Sequence, residues 1–162
     1  AFGYRDFRIC EDYDLFYRLN QKGFKMATIE ETLVNVRVTD NSTTATTNSI
    51  DFAKMVYKIK KDEISHLFND SKEVFIWGSG SLGRNVLEIL EAENLEISGF
   101  IDNDLNKQGC SLNGKIVYSP EVLNKGKGNF KVIVASQPGK YEIVKSLKEW
   151  NYRHLEDFLV FY

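Results

Sequence analysis

The sequence predicts an α/β protein: an open parallel β-sheet with helices on both faces over residues 72–162, preceded by a mostly helical segment. Three observations predict it. After residue 72, short apolar runs of strand length alternate with amphipathic helical stretches, the signature of successive strand–helix–strand units. A glycine-rich turn separates the first strand of that half from its first helix. Composition also divides the chain, with all seven threonines before residue 50 and nine of the eleven glycines after residue 77. We place the division at Asn69-Asp70-Ser71, three turn-prone residues between a helical pattern and an apolar strand, which gives parts 1–70 and 71–162.

The first part opens with Glu11-Asp12-Tyr13-Asp14 ahead of Leu15, Phe16 and Leu19, and Gly23 closes the segment. Acidic residues suit the positive end of a helix, and glycine suits the position just past its other end. Segments prone to β structure follow at residues 25–29 and 33–38, and residues 39–49 are polar enough for a loop. Asn48 or Ser49 then caps a long helix with Ala53, Val56, Tyr57, Ile64, Leu67 and Phe68 along one side.

In the second part, residues 73–77 form a short apolar strand, and Leu82, Val86, Ile89 and Leu90 mark the buried stripe of a helix. Residues 96–101 are the second strand. Ser119-Pro120-Glu121 starts a helix, with a capping serine and proline at the first helical position. Residues 131–135 make a third strand, 141–150 a helix, and 158–161 a last strand.

Composition and charge exclude several classes. The 162 residues suffice for one ordinary domain or two small ones. With 43% hydrophobic and 27% charged residues, the chain can bury a core and stay soluble. No apolar run approaches the ~20 residues of a membrane span. The opening residues carry charges of both signs, unlike a signal peptide, so a cytoplasmic location is expected. Net charge is −2 and evenly spread, with 10 Lys/Arg against 11 Asp/Glu before residue 71 and 11 against 12 after it. No basic face is left for nucleic acid. The cluster Lys58-Ile59-Lys60-Lys61 is balanced at once by Asp62 and Glu63 and reads as a solvated helix face. Cys10 and Cys110 lie far apart, and only His66 and His154 could join them, so the reading is two unpaired thiols and no metal site.

Gly78-Ser79-Gly80-Ser81-Leu82-Gly83 is a GxGxxG between a strand and a helix. The first glycine permits a tight turn, the second lets a diphosphate approach the backbone, and the third lets the helix lie on the strand. The helix start, at Leu82, offers unpaired N–H groups to the anion. Asp102 ends the second strand, where an acid can accept from a ribose hydroxyl, which disfavours a 2′-phosphate and prefers NAD or a nucleotide sugar to NADP. Ser136 and Gln137 follow the third strand, where open α/β sheets meet their ligands. The competing reading is that these glycines serve chain geometry alone and bind nothing.

The second part resembles the Rossmann-like domains attached to sugar-modifying and glycan-assembly enzymes, including the nucleotide-sugar-binding domain of sugar acetyltransferases. The residues that carry the likeness are 74–83, Gly99-Phe100-Ile101-Asp102-Asn103-Asp104, Lys107-Gln108-Gly109, Asn113-Gly114, Ser119-Pro120-Glu121 and 132–136. A nucleotide or nucleotide-sugar partner is what this resemblance implies.

Taken alone, Glu11-Asp12-Tyr13-Asp14 reads as a helix-start charge cluster. Its surroundings, Gly3-Tyr4-Arg5-Asp6, Arg18-Leu19, Lys22-Gly23-Phe24, Leu33 to Arg37 and Asp40-Asn41-Ser42, resemble the C-terminal part of a family-2 glycosyltransferase of the GT-A fold. That resemblance implies Asp12 as the general base on the acceptor hydroxyl, Glu11 as its partner, and Arg37 near the donor phosphates. It further implies a longer parent that transfers a sugar from a nucleotide-sugar donor with Mg²⁺ or Mn²⁺, in glycan or surface-polysaccharide assembly. The donor-binding half and its DxD would lie upstream, so these residues alone are expected to be inert. Asp102-Asn103-Asp104 spells DxD but follows a Rossmann-like strand and does not substitute. Thr39 stands where many relatives carry histidine.

Two further classes fit the sequence less well. An NAD-dependent oxidoreductase fits the glycine motif, but Tyr141 and Lys145, which have Tyr-x-x-x-Lys spacing, fall on a helix with no recognisable substrate pocket. A docking or homo-oligomeric domain would expose Trp150, Tyr152, Phe158 and Phe161, which read better as core.

Overall fold

The computed structural model describes residues 3–35, 37, 39 and 47–162. The chain forms two compact units, Ala1–Met55 and Val56–Tyr162.

In the first unit, helix α1 spans Glu11–Gln21 with Glu11, Asp12 and Asp14 in its first turn. Its end is a Schellman motif around Gly23 at φ +78°, in which Phe24 N–H donates to Leu19 O and Gly23 N–H to Asn20 O. The expected apolar stripe is only partly covered, since Leu15 and Leu19 are half-buried and Phe16 is exposed. The buried group of this helix is Asp14, fully enclosed. Arg5 and Arg18 grip its carboxylate, with Nε atoms at 3.0 and 2.9 Å, while Arg18 also donates to Gly3 O. A buried carboxylate is tolerable only when paired in this way. Burial alone would raise the Asp14 pKa, but the two guanidinium groups hold it below the usual range.

The strands expected at residues 25–29 and 33–38 do not form where the chain is described. Residues 24–35 are irregular and exposed, Phe24, Met26, Ile29, Leu33 and Val34 among them. A β-prone segment becomes a strand only when another strand takes its N–H and C=O groups, and among the described residues none does. Val36 and Val38 of the second segment lie outside the described residues, as do residues 40–46 of the expected loop with Asp40, Asn41 and Ser42.

Helix α2, Ser49–Leu67, passes from the first unit into the second. Asn48 caps it, its side-chain oxygen accepting Asp51 N–H at 2.8 Å. Ala53, Val56, Tyr57, Ile64 and Leu67 are buried along the side that the spacing predicts.

The second unit is a six-stranded sheet. Its elements are β1 Glu73–Trp77, α3 Ser81–Ala92, β2 Gly99–Ile101, β3 Ser111–Leu112, β4 Lys115–Tyr118, α4 Glu121–Lys125, β5 Phe130–Val134, α5 Lys140–Glu149 and β6 Phe158–Val160. The spatial order is β3-β4-β2-β1-β5-β6, all parallel except the β3–β4 pair. This is the Rossmann-like, mixed α/β architecture that the alternation predicts. Counting parallel strands along the chain, the order is third, second, first, fourth, fifth, so the winding reverses between β1 and β5.

Register explains the core. Phe75 lies beside Val132 and Val132 beside Phe158, while Trp77 lies between Ile101 and Val134. These side chains share one face with Leu123 of α4 and Ile143 and Leu147 of α5. Alternation turns Val74, Ile76, Phe100, Ile133 and Leu159 to the opposite face, all buried. Right-handed crossovers place α3, which runs back toward β2, on that second face. Tyr152, Phe158 and Phe161 are buried and Trp150 half-buried, stacked on Trp77 at 5.8 Å. Buried charges are paired: Lys131 with Asp70 at 2.9 Å, and Asp157 with Arg153.

The sequence reading passed over the β3–β4 hairpin. Asn113 and Gly114, at φ +51° and +75°, form the tight turn that favours this pair of residues. The second strand is also shorter than expected, starting at Gly99. The helix expected at Ser119-Pro120-Glu121 forms one residue later than the sequence suggests, with Pro120 at the N-cap of α4 and Glu121 its first residue, while Ser119 Oγ accepts Glu121 N–H at 3.3 Å.

Gly83 fixes α3 on the sheet, because a Cβ there would lie 1.8 Å from Gly78 O. Gly83→Ala should therefore destabilise the protein by about 3 kcal/mol, read as a lower midpoint in urea unfolding.

Candidate functional site

The glycine-rich turn sits at the carboxyl end of β1, beside the reversal between β1 and β5. The three motif glycines differ in what the fold demands of them. Gly78 has φ +115°, and a Cβ there would meet Ala135 O at 2.7 Å and Ser136 Cβ at 3.1 Å. It is required by its own backbone and by the neighbouring strand. Gly83 is required by the helix–strand contact described above. Gly80 is exposed, with φ −75°, and a Cβ there would meet nothing within 4 Å. The fold itself asks nothing of it. What its missing side chain provides is bare backbone open to solvent, the space that a diphosphate needs.

That backbone leads into α3, whose start carries no side-chain cap and no acid in its first turn. Its free N–H groups and positive dipole end are suited to an anion. Leu82 is half-buried in this first turn, and Arg84 Nη2 lies 3.5 Å from Ser81 Oγ. Ser136 is half-buried beside Gly78, and Gln137 is exposed beyond it. The structure thus brings Gly78, Ser79, Gly80, Leu82, Gly83, Asp102 and Ser136 to one end of the sheet.

Asp102 closes β2 and reaches across to the turn. Its Oδ2 accepts Ser79 N–H at 3.0 Å and the Ser79 hydroxyl, with Lys107 Nζ at 3.2 Å. Its Oδ1 accepts Asp104 N–H at 3.0 Å. Burial pushes this carboxyl up, but the hydrogen bonds from Ser79 and Asp104, with the Lys107 ammonium, outweigh it and lower the pKa to about 2. Asp104 in turn accepts Asn106 N–H at 3.0 Å, so the Asp102-Asn103-Asp104 carboxylates fold the loop rather than converge as metal ligands. Among the described residues, no three His, Cys, Asp or Glu side chains converge as a metal site requires.

Three residues that the sequence marks only as carrying the Rossmann-like resemblance, with no role assigned, hold this loop in place. Lys107 neutralises Asp102, Gln108 Nε2 donates to Asp102 O at 2.9 Å, and Asn103 accepts the Trp77 indole N–H at 2.9 Å. They lie in an irregular loop, where no periodicity indicates which side chain turns inward.

Glu11 and Asp12 belong to the other unit, at the exposed start of α1. Asp12 Oδ1 accepts Tyr13 N–H at 2.7 Å. Cys10 precedes them at φ +60°; burial, with the nearby Asp12 and Glu11 charges, pushes its thiol up to about 11. Cys10 and Cys110 are both unpaired. Arg37 is exposed. No helix of the described residues is long and apolar enough to cross a membrane.

The profile described as C2185-like, N-terminal matches residues 70–156, more than half of the chain. Among solved structures, the chain is similar to UDP-D-quinovosamine 4-dehydrogenase from Vibrio fischeri, at 26% identity and a TM-score of 0.42, covering 56% of this chain and 78% of that one. No curated protein matches.

Because the Asp102 pKa is lower folded than unfolded, its contribution to stability is present above about pH 4 and lost as pH falls through about 2. Asp102→Asn should cost about 2 kcal/mol at neutral pH. In urea melts across that acid range, the gap from the wild type should close.

Proposed function

This chain belongs to the C2185-like, N-terminal family, and from that premise we propose that residues 71–162 bind a nucleoside-diphosphate ligand, NAD or a nucleotide sugar, without performing chemistry on it. One observation carries the reading. Gly78 and Gly83 are explained by packing, whereas Gly80 is not, and its bare backbone lies at an uncapped helix start beside the winding reversal of the sheet. A turn that served geometry alone would need the first and third glycines and tolerate a side chain at the second. The diphosphate would lie on the N–H groups from Gly80 to Leu82, with Ser136 and Gln137 at the β5 side and Asp102 at the β2 side.

The test is a thermal-shift panel of NAD⁺, NADP⁺, UDP, UDP- and GDP-sugars and coenzyme A. Ligand at 100 times its Kd adds about 2.7 kcal/mol of stability. The stacked pair Trp77 and Trp150, the chain's two tryptophans, gives a second readout by fluorescence. Gly80→Leu should abolish the shift while changing stability by about 0.5 kcal/mol or less. Equal shifts in the wild type and Gly80→Leu would remove the turn from binding.

A second reading concerns the first unit, as part of a glycosyltransferase with Asp12 as general base and Glu11 as its partner. It is supported by the contrast in charge environment between two acids two residues apart in the first turn of α1. Asp14 is enclosed by two arginines, whereas Asp12 is exposed to an approaching acceptor. In a longer protein carrying a donor site, Asp12→Asn should lower kcat about 100-fold or more with donor Kd unchanged. Near-normal turnover would exclude Asp12 as the base.

A further inference from the structure

Asp102 stands where an acid commonly takes the hydroxyls of a nucleotide ribose, yet its Oδ2 is already fully engaged by the protein and only one acceptor site, on Oδ1, is left open. A carboxylate offers about four lone-pair sites. Here Oδ2 receives Ser79 N–H, Ser79 O–H and the Lys107 ammonium, and Oδ1 receives Asp104 N–H. All four donors belong to the two loops that form the site. Ser79 is itself buried, 4% exposed, so its hydroxyl and its N–H are not loosely held surface contacts. Gly78 N–H, one residue earlier, is bonded to Ile101 O at 2.8 Å, so the turn is tied to the end of β2 at two successive residues.

We infer that Asp102 is a positioning residue: it orients the glycine-rich turn through Ser79 and does not itself recognise the ribose. This rests on the nucleotide-binding reading above and deepens it. The consequence is a ligand class defined by its diphosphate and indifferent to the sugar hydroxyls, so that deoxyribose and ribose nucleotides bind alike. The geometry supplies the reason. A ribose captured by both oxygens needs two acceptors side by side, and with Ser79 and Lys107 already on Oδ2 the carboxylate offers it only the single open site on Oδ1.

Isothermal titration of UDP against 2′,3′-dideoxy-UDP, and of ADP against 2′,3′-dideoxy-ADP, tests this on the wild type, Asp102→Asn and Ser79→Ala. The expected result is a ratio within about twofold for each wild-type pair, because a lost hydrogen bond to a charged group would weaken binding about tenfold or more. Both variants should weaken ribose and dideoxy forms in parallel, with folding checked by circular dichroism. A dideoxy deficit of about tenfold that vanishes in Asp102→Asn would overturn the inference and leave the nucleotide-binding reading standing. So would unchanged affinity for all ligands in both folded variants. Should no nucleotide bind the wild type, both readings fall together.

Discussion

The contact on which the second unit depends is the approach of Gly83 to the carbonyl of Gly78, closer than any side chain permits. Without it α3 could not lie against the end of β1, and Val86, Leu87 and Leu90 would lose their buried places. The same contact turns the start of α3 toward the carboxyl end of the sheet. Packing and binding geometry therefore have one origin: the residue that lets the helix come close also determines where its unpaired N–H groups point.

Asp102 adds the second constraint. A half-buried carboxylate with a pKa lowered to about 2 is a committed charge, held by donors from both loops. It converts a flexible glycine-rich turn into a defined one. The first unit uses the same chemistry, with Asp14 enclosed and gripped by Arg5 and Arg18. In each, an acid drawn wholly or partly out of water is paired with basic or backbone donors, as the cost of burying an unpaired charge requires. Yet the two acids follow different local logic. Asp14 ties a helix start to the segment before it, whereas Asp102 ties two loops of a sheet.

Several features were readable from residue types alone. The alternation of strand and helix after residue 72, the cap at Asn48, the stripe on α2 and the Gly78–Gly83 turn each follow from local sequence, and the structure has them. Less was readable in the first unit. Residues 25–29 have strand-like composition, but pairing is decided by neighbours, and composition does not supply one. The β3–β4 hairpin was signalled only by Asn113-Gly114, since its strands are too short to alternate visibly.

What the sequence by itself determined was which residues could form a Rossmann-like half and where its glycine-rich turn lies, because those properties depend on periodicity and on glycine's lack of a side chain. Only the tertiary structure decided what each of them does. Three identical glycines proved to be under different demands: Gly78 is confined by Ala135 and Ser136 at the end of another strand, Gly83 by the carbonyl of Gly78, and Gly80 by nothing within 4 Å. Likewise Lys107 and Asn103 entered the site through loop closure. The physical reason is that backbone preference acts on a residue and its neighbours in the chain, whereas exclusion, charge pairing and open space depend on atoms brought together from elsewhere.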